Sequence, residues 1–292
     1  MRLLVVINPH AASGRPLRRQ ARIEARLRQA GHEVRVVVPP NVAAMHRDIR
    51  EAAATAVEGV LVAGGDGTLH QALPALAETN LPLGVMPCGR GNDFARNLGM
   101  SPRLETVLRG PLQFAVDTVD LPRANGRPFL SIAGVGFDAR VNQLARAGKG
   151  WFHGRAGYLV CVLRALRTFA PFAAQVRVDD RSWQGCLTLV AVANGPGYGG
   201  GIRIAPGADL RDGRFDVCVV GDLGKWELVR NLPRLLRGRH LDHPRVSLWP
   251  GRQVEIVTAE PQPIFADGEF LGTTPATCVL DGTKLRVLRP AA

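Results

Sequence analysis

Long apolar runs are missing from this 292-residue chain. Runs such as residues 3–7 and 187–193 stop far short of the roughly 20 residues that a bilayer-crossing helix needs, so no transmembrane segment is expected. The unbroken apolar run between Arg2 and Asn8-Pro9 is only five residues, too short for the apolar core of a secretory signal, and a cytoplasmic protein is expected. Lysine is scarce: Lys149, Lys225 and Lys284 are the only three, so the formal net charge of +12 rests almost wholly on arginine. Such a surface attracts phosphate, whether on nucleotides, nucleic acid or an anionic membrane. The arginine clusters at 15–22 and 230–239 lack the interleaved aromatics of a single-strand binder, so nucleic acid is not the expected partner; solvated helix faces are the usual reading of such clusters, and a membrane-facing patch is the sharper one. Cysteine is odd in number and scattered, at 88, 161, 186, 218 and 278, which excludes a disulfide framework, a zinc knuckle or a dithiol motif. The seven histidines show no metal spacing either, and His240 and His243 read as loop residues. Internal repeats and low-complexity tracts are also absent.

What is present is enough apolar residue, 46%, to fill the core of one large or two ordinary domains. Over residues 1–120, branched apolar runs alternate with helical segments: a run at 1–9, a helix over about 15–30, a run at 32–40, and a helix near 42–56. A run at 59–68, a helix to about 78 and a run at 82–93 follow. This alternation predicts a doubly wound parallel sheet covered on both faces. Ligands on such sheets collect at the carboxyl ends of the strands, where three Gly- or Asn-rich turns fall at 8–14, 64–68 and 89–93. Residues 121–280 change texture to shorter strands and turns, with helical insertions near 157–169 and 225–236, and predict a β-rich, antiparallel, sandwich-like domain. With no long linker between the two domains, close packing around a cleft is expected.

The stretch GVLVAGGDGTLHQAL, residues 59–73, reads as strand, turn and helix. In such a unit, exposed N–H groups and the positive end of the helix favour phosphate, and Gly64, Gly65 and Gly67 let the backbone approach it. Thr68 is placed to cap the helix or touch a phosphate oxygen. The lysine of a Walker A loop is missing, which disfavours that class. Asp66 would repel polyphosphate unless a divalent cation lay between them, and magnesium bridges carboxylate to phosphate in this way. A plain Asp-Gly corner is the alternative. A second turn of the same kind, PCGRGNDFARNLG at 87–99, enters another helix with Asn92 or Asp93 at its N-cap. By contrast Gly134-Val135-Gly136-Phe137-Asp138-Ala139 imitates a dinucleotide fingerprint without the acid about 20 positions on, and reads as a strand-end turn.

Gly64-Gly65-Asp66-Gly67-Thr68 followed by Gly91-Asn92-Asp93-Phe94-Ala95-Arg96 resembles the signature of the diacylglycerol kinase catalytic domain family, which includes bacterial soluble lipid kinases and sphingosine or ceramide kinases. VANGPGYGGGIRIAPGADLRDGRFDV at 192–217 and Asp267-Gly268-Glu269 resemble its later motifs, so the likeness covers nearly the whole chain. The first loop is shared with NAD kinases and is similar to that of phosphofructokinases, and an NAD kinase-like enzyme is the alternative activity.

The resemblance implies an NAD-kinase-like α/β nucleotide domain to which the last strand, about 281–292, returns, a lipid-binding domain at 121–280, and an ATP- and magnesium-dependent kinase acting on a lipid hydroxyl at the membrane surface. It places ATP against Asn8, Gly64, Gly65, Asp66, Gly67, Thr68, Leu69, His70, Arg90 and Asn92. It assigns Asp66, Asp93 and Asp120 to an acidic network that organises water and Mg2+. A second Mg2+ is implied at Asp209, Asp212 and the Arg214 carbonyl, where a solvated turn is the alternative. Asp267 and Glu269 are the candidates for the base that takes the substrate proton, with Glu269 favoured. A homodimer is the candidate assembly. The chain departs from the family at Arg90, where threonine is usual, at His70, where asparagine is commoner, and at Gln71, which replaces an acid. These departures motivate a second reading, a nucleotide- or lipid-binding regulator that keeps the fold without turnover.

Overall fold

The computed structural model describes residues 1–147 and 154–291. They form two compact units: Met1–Leu121 with Thr283–Ala292, and Pro122–Gly282.

The first unit contains β1 (Arg2–Ile7), α1 (Arg15–Gln29), β2 (Glu33–Val37), α2 (Val42–Ala53), β3 (Gly59–Gly64), α3 (Asp66–Thr79), β4 (Leu83–Pro87), α4 (Asp93–Asn97), α5 (Leu104–Arg109) and β5 (Phe114–Asp120). Strands β1, β3 and β4 are almost continuously buried, as expected of a parallel sheet with helices on both faces. Ile23 and Leu27, one turn apart on α1, fill the core with Leu3, Val5 and Leu61, while the arginines of that helix stay outside; Arg19 and Arg22 both pair with Glu105. Asn41 caps α2 by accepting the Ala44 N–H.

In the second unit, β6 (Arg123–Ala124), β7 (Arg127–Pro128) and β8 (Ile132–Gly136) lead directly into α6 (Phe137–Ala147). The sequence reading of a strand-end turn at 134–139 is thereby corrected: the strand passes into a helix. Then come α7 (Gly154–Thr168), β9 (Phe172–Val178), β10 (Arg181–Ala193), β11 (Phe215–Gly221), α8 (Lys225–Leu236), β12 (Val246–Gly251), β13 (Gln253–Thr258), β14 (Pro263–Ala266), β15 (Glu269–Thr273) and β16 (Ala276–Val279). Every strand pairing here is antiparallel. Strand β10 is where the 11-stranded sheet branches. Its first half, from Arg181 to Leu187, pairs with β9, and its second half, from Leu189 to Ala193, pairs with β8 and β11. The break falls at the irregularity between Leu187 and Leu189. There the buried Thr188 hydroxyl donates to Gly221 O at 2.7 Å and accepts from Leu223 N at 2.9 Å, satisfying backbone groups the bulge releases.

The final strand, β17 (Lys284–Pro290), lies in the sheet of the first unit, whose order is β2-β1-β3-β4-β17-β5. It runs parallel to β4 and antiparallel to β5. No helix of the described residues is long and apolar enough to cross a membrane.

Candidate active site

The parallel strands of the first unit bring the turns after β1, β3 and β4 to one edge, and three contacts tie those turns together. Asn8 Nδ2 donates to Thr68 Oγ1 at 2.9 Å, while Asn8 Oδ1 accepts the His10 N–H. Asp66, the first residue of α3, accepts the Phe94 N–H at 3.1 Å, so the β3 turn holds the start of α4. Between these two contacts the turns meet backbone to backbone. A Cβ on Gly89 would lie 2.5 Å from Gly65 Cα, and one on Gly65 would lie 2.9 Å from Gly89 Cα. Only a residue without a side chain fits at either position. Gly64 is closed in the same way by the Thr68 side chain, 2.5 Å from where its Cβ would stand.

Gly91 marks where the acids converge. A Cβ there would sit 2.9 Å from Asp93 Oδ2 and 3.0 Å from Asp66 Oδ2. Asp93 also faces Arg96 at 3.7 Å. Asn92 is buried with φ 52°, and caps nothing in α4 with its side chain. Instead it accepts from Gly89 N at 2.9 Å and donates to Gly89 O and Pro102 O, locking the turn. Thr68 likewise does not cap α3, whose N-cap is Gly65. Leu69 and His70 are buried, so side-chain contact with a ligand at this edge would fall to other residues, among them the exposed Arg90.

Asp120 does not join Asp66 and Asp93. It pairs in register with Lys284, three residues before Val287, and Val287 stands beside Leu83 at the start of β4. Asp120 therefore occupies the amino-end edge of the sheet, opposite the three turns, where its buried carboxylate takes an ion pair from Lys284 at 2.5 Å. Among the described residues no group of three or more His, Cys, Asp or Glu side chains is assembled for a metal ion. The donor set that does converge, two carboxylates, suits a hard cation that completes its shell with water and phosphate oxygen.

The two acids of the late motif play unlike parts in the second unit. Asp267, at φ 52° in the turn between β14 and β15, accepts the Leu130 N–H at 2.6 Å and the Ser131 N–H at 2.9 Å. Both its oxygens thus hold the segment that leads into β8. Glu269 is half-buried and ion-paired with Arg146 of α6. Asp209 and Asp212 each close a local turn, on Arg211 N and Arg214 N, and each pairs with the arginine of its own turn. Arg214 Nε reaches Asp212 Oδ2 at 2.9 Å, so the two carboxylates are occupied separately.

Sequence reasoning passed over Arg146, whose helix it did not anticipate, and Asp138. The latter stands on the first turn of α6, pressed against Gly134, and burial pushes its carboxyl up to about 6 despite hydrogen bonds from the Ala139 N–H and the Tyr198 side chain. The Phe-Asp pair at the end of GVGF was the available signal. An apolar cavity of about 230 Å³ lies nearby, lined by Phe137, Leu166, Phe169, Leu223 and Leu228, with Lys225 at the start of α8.

Comparison with known proteins agrees with this architecture unit by unit. Residues 2–124 match the diacylglycerol kinase catalytic domain, and residues 131–289 match the YegS C-terminal NAD kinase beta sandwich-like domain. A diacylglycerol kinase of Mycobacterium tuberculosis (strain H37Rv) is 31% identical over 300 residues, covering 99% of this chain and 95% of that protein. One of Bacillus subtilis (strain 168) is 28% identical over 299 residues, covering 99% and 96%. A crystal structure of a diacylglycerol kinase from Bacillus anthracis superposes with a TM-score of 0.72 at 22% identity, covering 97% of this chain and 95% of that one, a likeness of fold. Fold and matches together define a kinase built of an α/β unit and a sandwich-like unit. Within that class the chain belongs to the diacylglycerol kinase family.

Proposed function

We propose that this protein transfers the γ-phosphate of ATP to the hydroxyl of a diacylglycerol-like lipid, with Mg2+ as the accompanying cation. The observation that carries the reading is the joined pair of glycine turns, Gly64–Thr68 and Gly89–Asp93, with Asp66 and Asp93 converging on Gly91. Two bare backbones in contact at a strand edge leave room for a polyphosphate that side chains would fill. Asp66 and Asp93 would hold the cation, whose chemistry is to neutralise charge on the phosphate oxygens. Asn8 and Thr68 brace the turn, and Arg90 supplies a charge contact to phosphate where relatives use a hydroxyl.

In the second unit Glu269 would accept the proton of the lipid hydroxyl as it attacks phosphorus. Arg146 fixes the carboxylate, and Asp267, through Leu130 and Ser131, fixes the turn from which it projects. The apolar cavity beside Phe137 and Phe169 is the candidate seat for an acyl chain. Contact with the membrane would be peripheral.

Incubation with labelled ATP, Mg2+ and a panel of diacylglycerol, phosphatidylglycerol, sphingoid base and NAD tests this reading. Label is expected in diacylglycerol, and Glu269→Gln is expected to lower kcat by about 10²- to 10⁴-fold with the KM for ATP little changed. Label in NAD alone would overturn the lipid reading. ATP binding with no product labelled would favour a regulator.

A further inference from the structure

Helix α8 presents to the outside what a solvated helix hides. Its inner face is formed by Glu227, Leu228, Asn231 and Leu235, and Glu227, its one acid, turns to His243 and Arg245. On the opposite face Trp226 is 87% exposed and Val229 43% exposed, with the exposed Pro233 between them in angle. At 100° per residue these three fall within one narrow sector, flanked by the exposed Arg230 and Arg234 and followed by the exposed Arg237 and Arg239. The acids nearest in sequence, Asp222 and Asp242, lie outside the helix, so the helix itself places no carboxylate on its outer face. An indole left in water forfeits one of the largest burials a side chain offers, while arginine stems cover apolar surface and keep their charge in the headgroups.

From this we infer that α8 is an interfacial anchor that lays Trp226, Val229 and Pro233 into the headgroup region of an anionic bilayer, with Arg230, Arg234, Arg237 and Arg239 on the lipid phosphates. The occupant is chosen by charge: the face is basic and apolar together, and the chain carries +12 overall. This rests on the lipid-kinase reading for its purpose but not for its geometry. The anchor also borders the apolar cavity, which shares Lys225 and Leu228 with the helix, so docking would bring that cavity to the lipid surface.

The test uses vesicles of phosphatidylglycerol and of phosphatidylcholine with the full chain. Sedimentation should show binding to the anionic vesicles only. Arg230→Glu/Arg234→Glu should weaken it by about tenfold or more, since each basic residue near an anionic leaflet contributes about fivefold. With brominated-chain phosphatidylglycerol, tryptophan emission should be quenched in the native protein and much less in Trp226→Phe, a change mild enough to leave the fold intact. Native-like sedimentation of the arginine variant, or equal quenching in Trp226→Phe, would overturn the inference. So would a native dimer that Trp226→Ala converts to a monomer without changing vesicle binding, because the face would then cover a second copy. Phosphorylation of a short-chain, water-soluble diacylglycerol separates the two ideas. If the kinase reading holds, it persists in the α8 variants; if it is absent from native protein that still docks through α8, only the kinase reading fails.

Discussion

At Gly89 one methyl group is enough to part the two turns. The Cβ of an alanine would stand 2.5 Å from the Cα of Gly65, and the obstruction is backbone, so no side chain can swing aside to relieve it. Gly89→Ala is expected to lower ATP affinity by about tenfold or more by calorimetry, and to destabilise by about 1–3 kcal/mol. Gly207→Ala, where nothing lies within 4 Å of the new atom, should behave as native. Asp138 is a residue of the opposite kind, a carboxyl the fold prefers to keep neutral. Burial pushes it up from 3.8 to about 6, so the native state binds its proton more tightly than the unfolded chain does. Its stabilising effect is complete below about pH 4, and is lost as pH rises through 6. On this account roughly 3 kcal/mol of the pH dependence of stability between 4 and 6 belongs to this group. Urea unfolding across that range should show a fall in the native protein that Asp138→Asn largely removes. Neither property was visible in the sequence. The glycine pattern announced a tight turn, but not that two such turns touch; the motif around Asp138 looked like a turn because the apolar strand before it ends in the same glycines a loop would use.

Elements were more legible than their neighbours in space. The buried runs of β1, β3 and β4 and the amphipathic α1 followed from period alone, because burial on both faces or on one stripe leaves its mark in every residue. Register leaves no such mark. Asp120 and Asp66 belong to one family pattern, yet β5 runs antiparallel to β17, and that reversal carries Asp120 to the far edge of the sheet. Likewise Asp267 and Glu269, two residues apart, part company because a left-handed turn at Asp267 sends one carboxylate onto backbone amides and the other toward Arg146. Strand β17 shows how much one element holds. It supplies hydrogen bonds to both β4 and β5, and its Leu288 crowds Gly59 and Gly84, where no side chain would fit. Truncation before Thr283 should leave the first unit without a cooperative transition in calorimetry, while the antiparallel unit keeps its own.

Across the whole molecule, the sequence order and the spatial order disagree. The texture change near residue 120 is plain in the chain, and the units part at Leu121–Pro122, but the first unit is completed by residues that come after the second has ended. Composition could announce two kinds of sheet; the return of the last strand came only from the family resemblance, and the pairing of β17 with β4 and β5 gives its place in the sheet.

On the ribosome this nesting becomes a schedule. The antiparallel unit has all its strands as soon as it emerges, whereas the α/β unit, although made first, must wait with β4 and β5 unjoined until β17 appears. At synthesis rates of about 5–20 residues per second the wait is on the order of ten seconds or more. For that time a sheet edge that will later be interior is open to other chains. The protein is thus a natural client for whatever shields nascent edges.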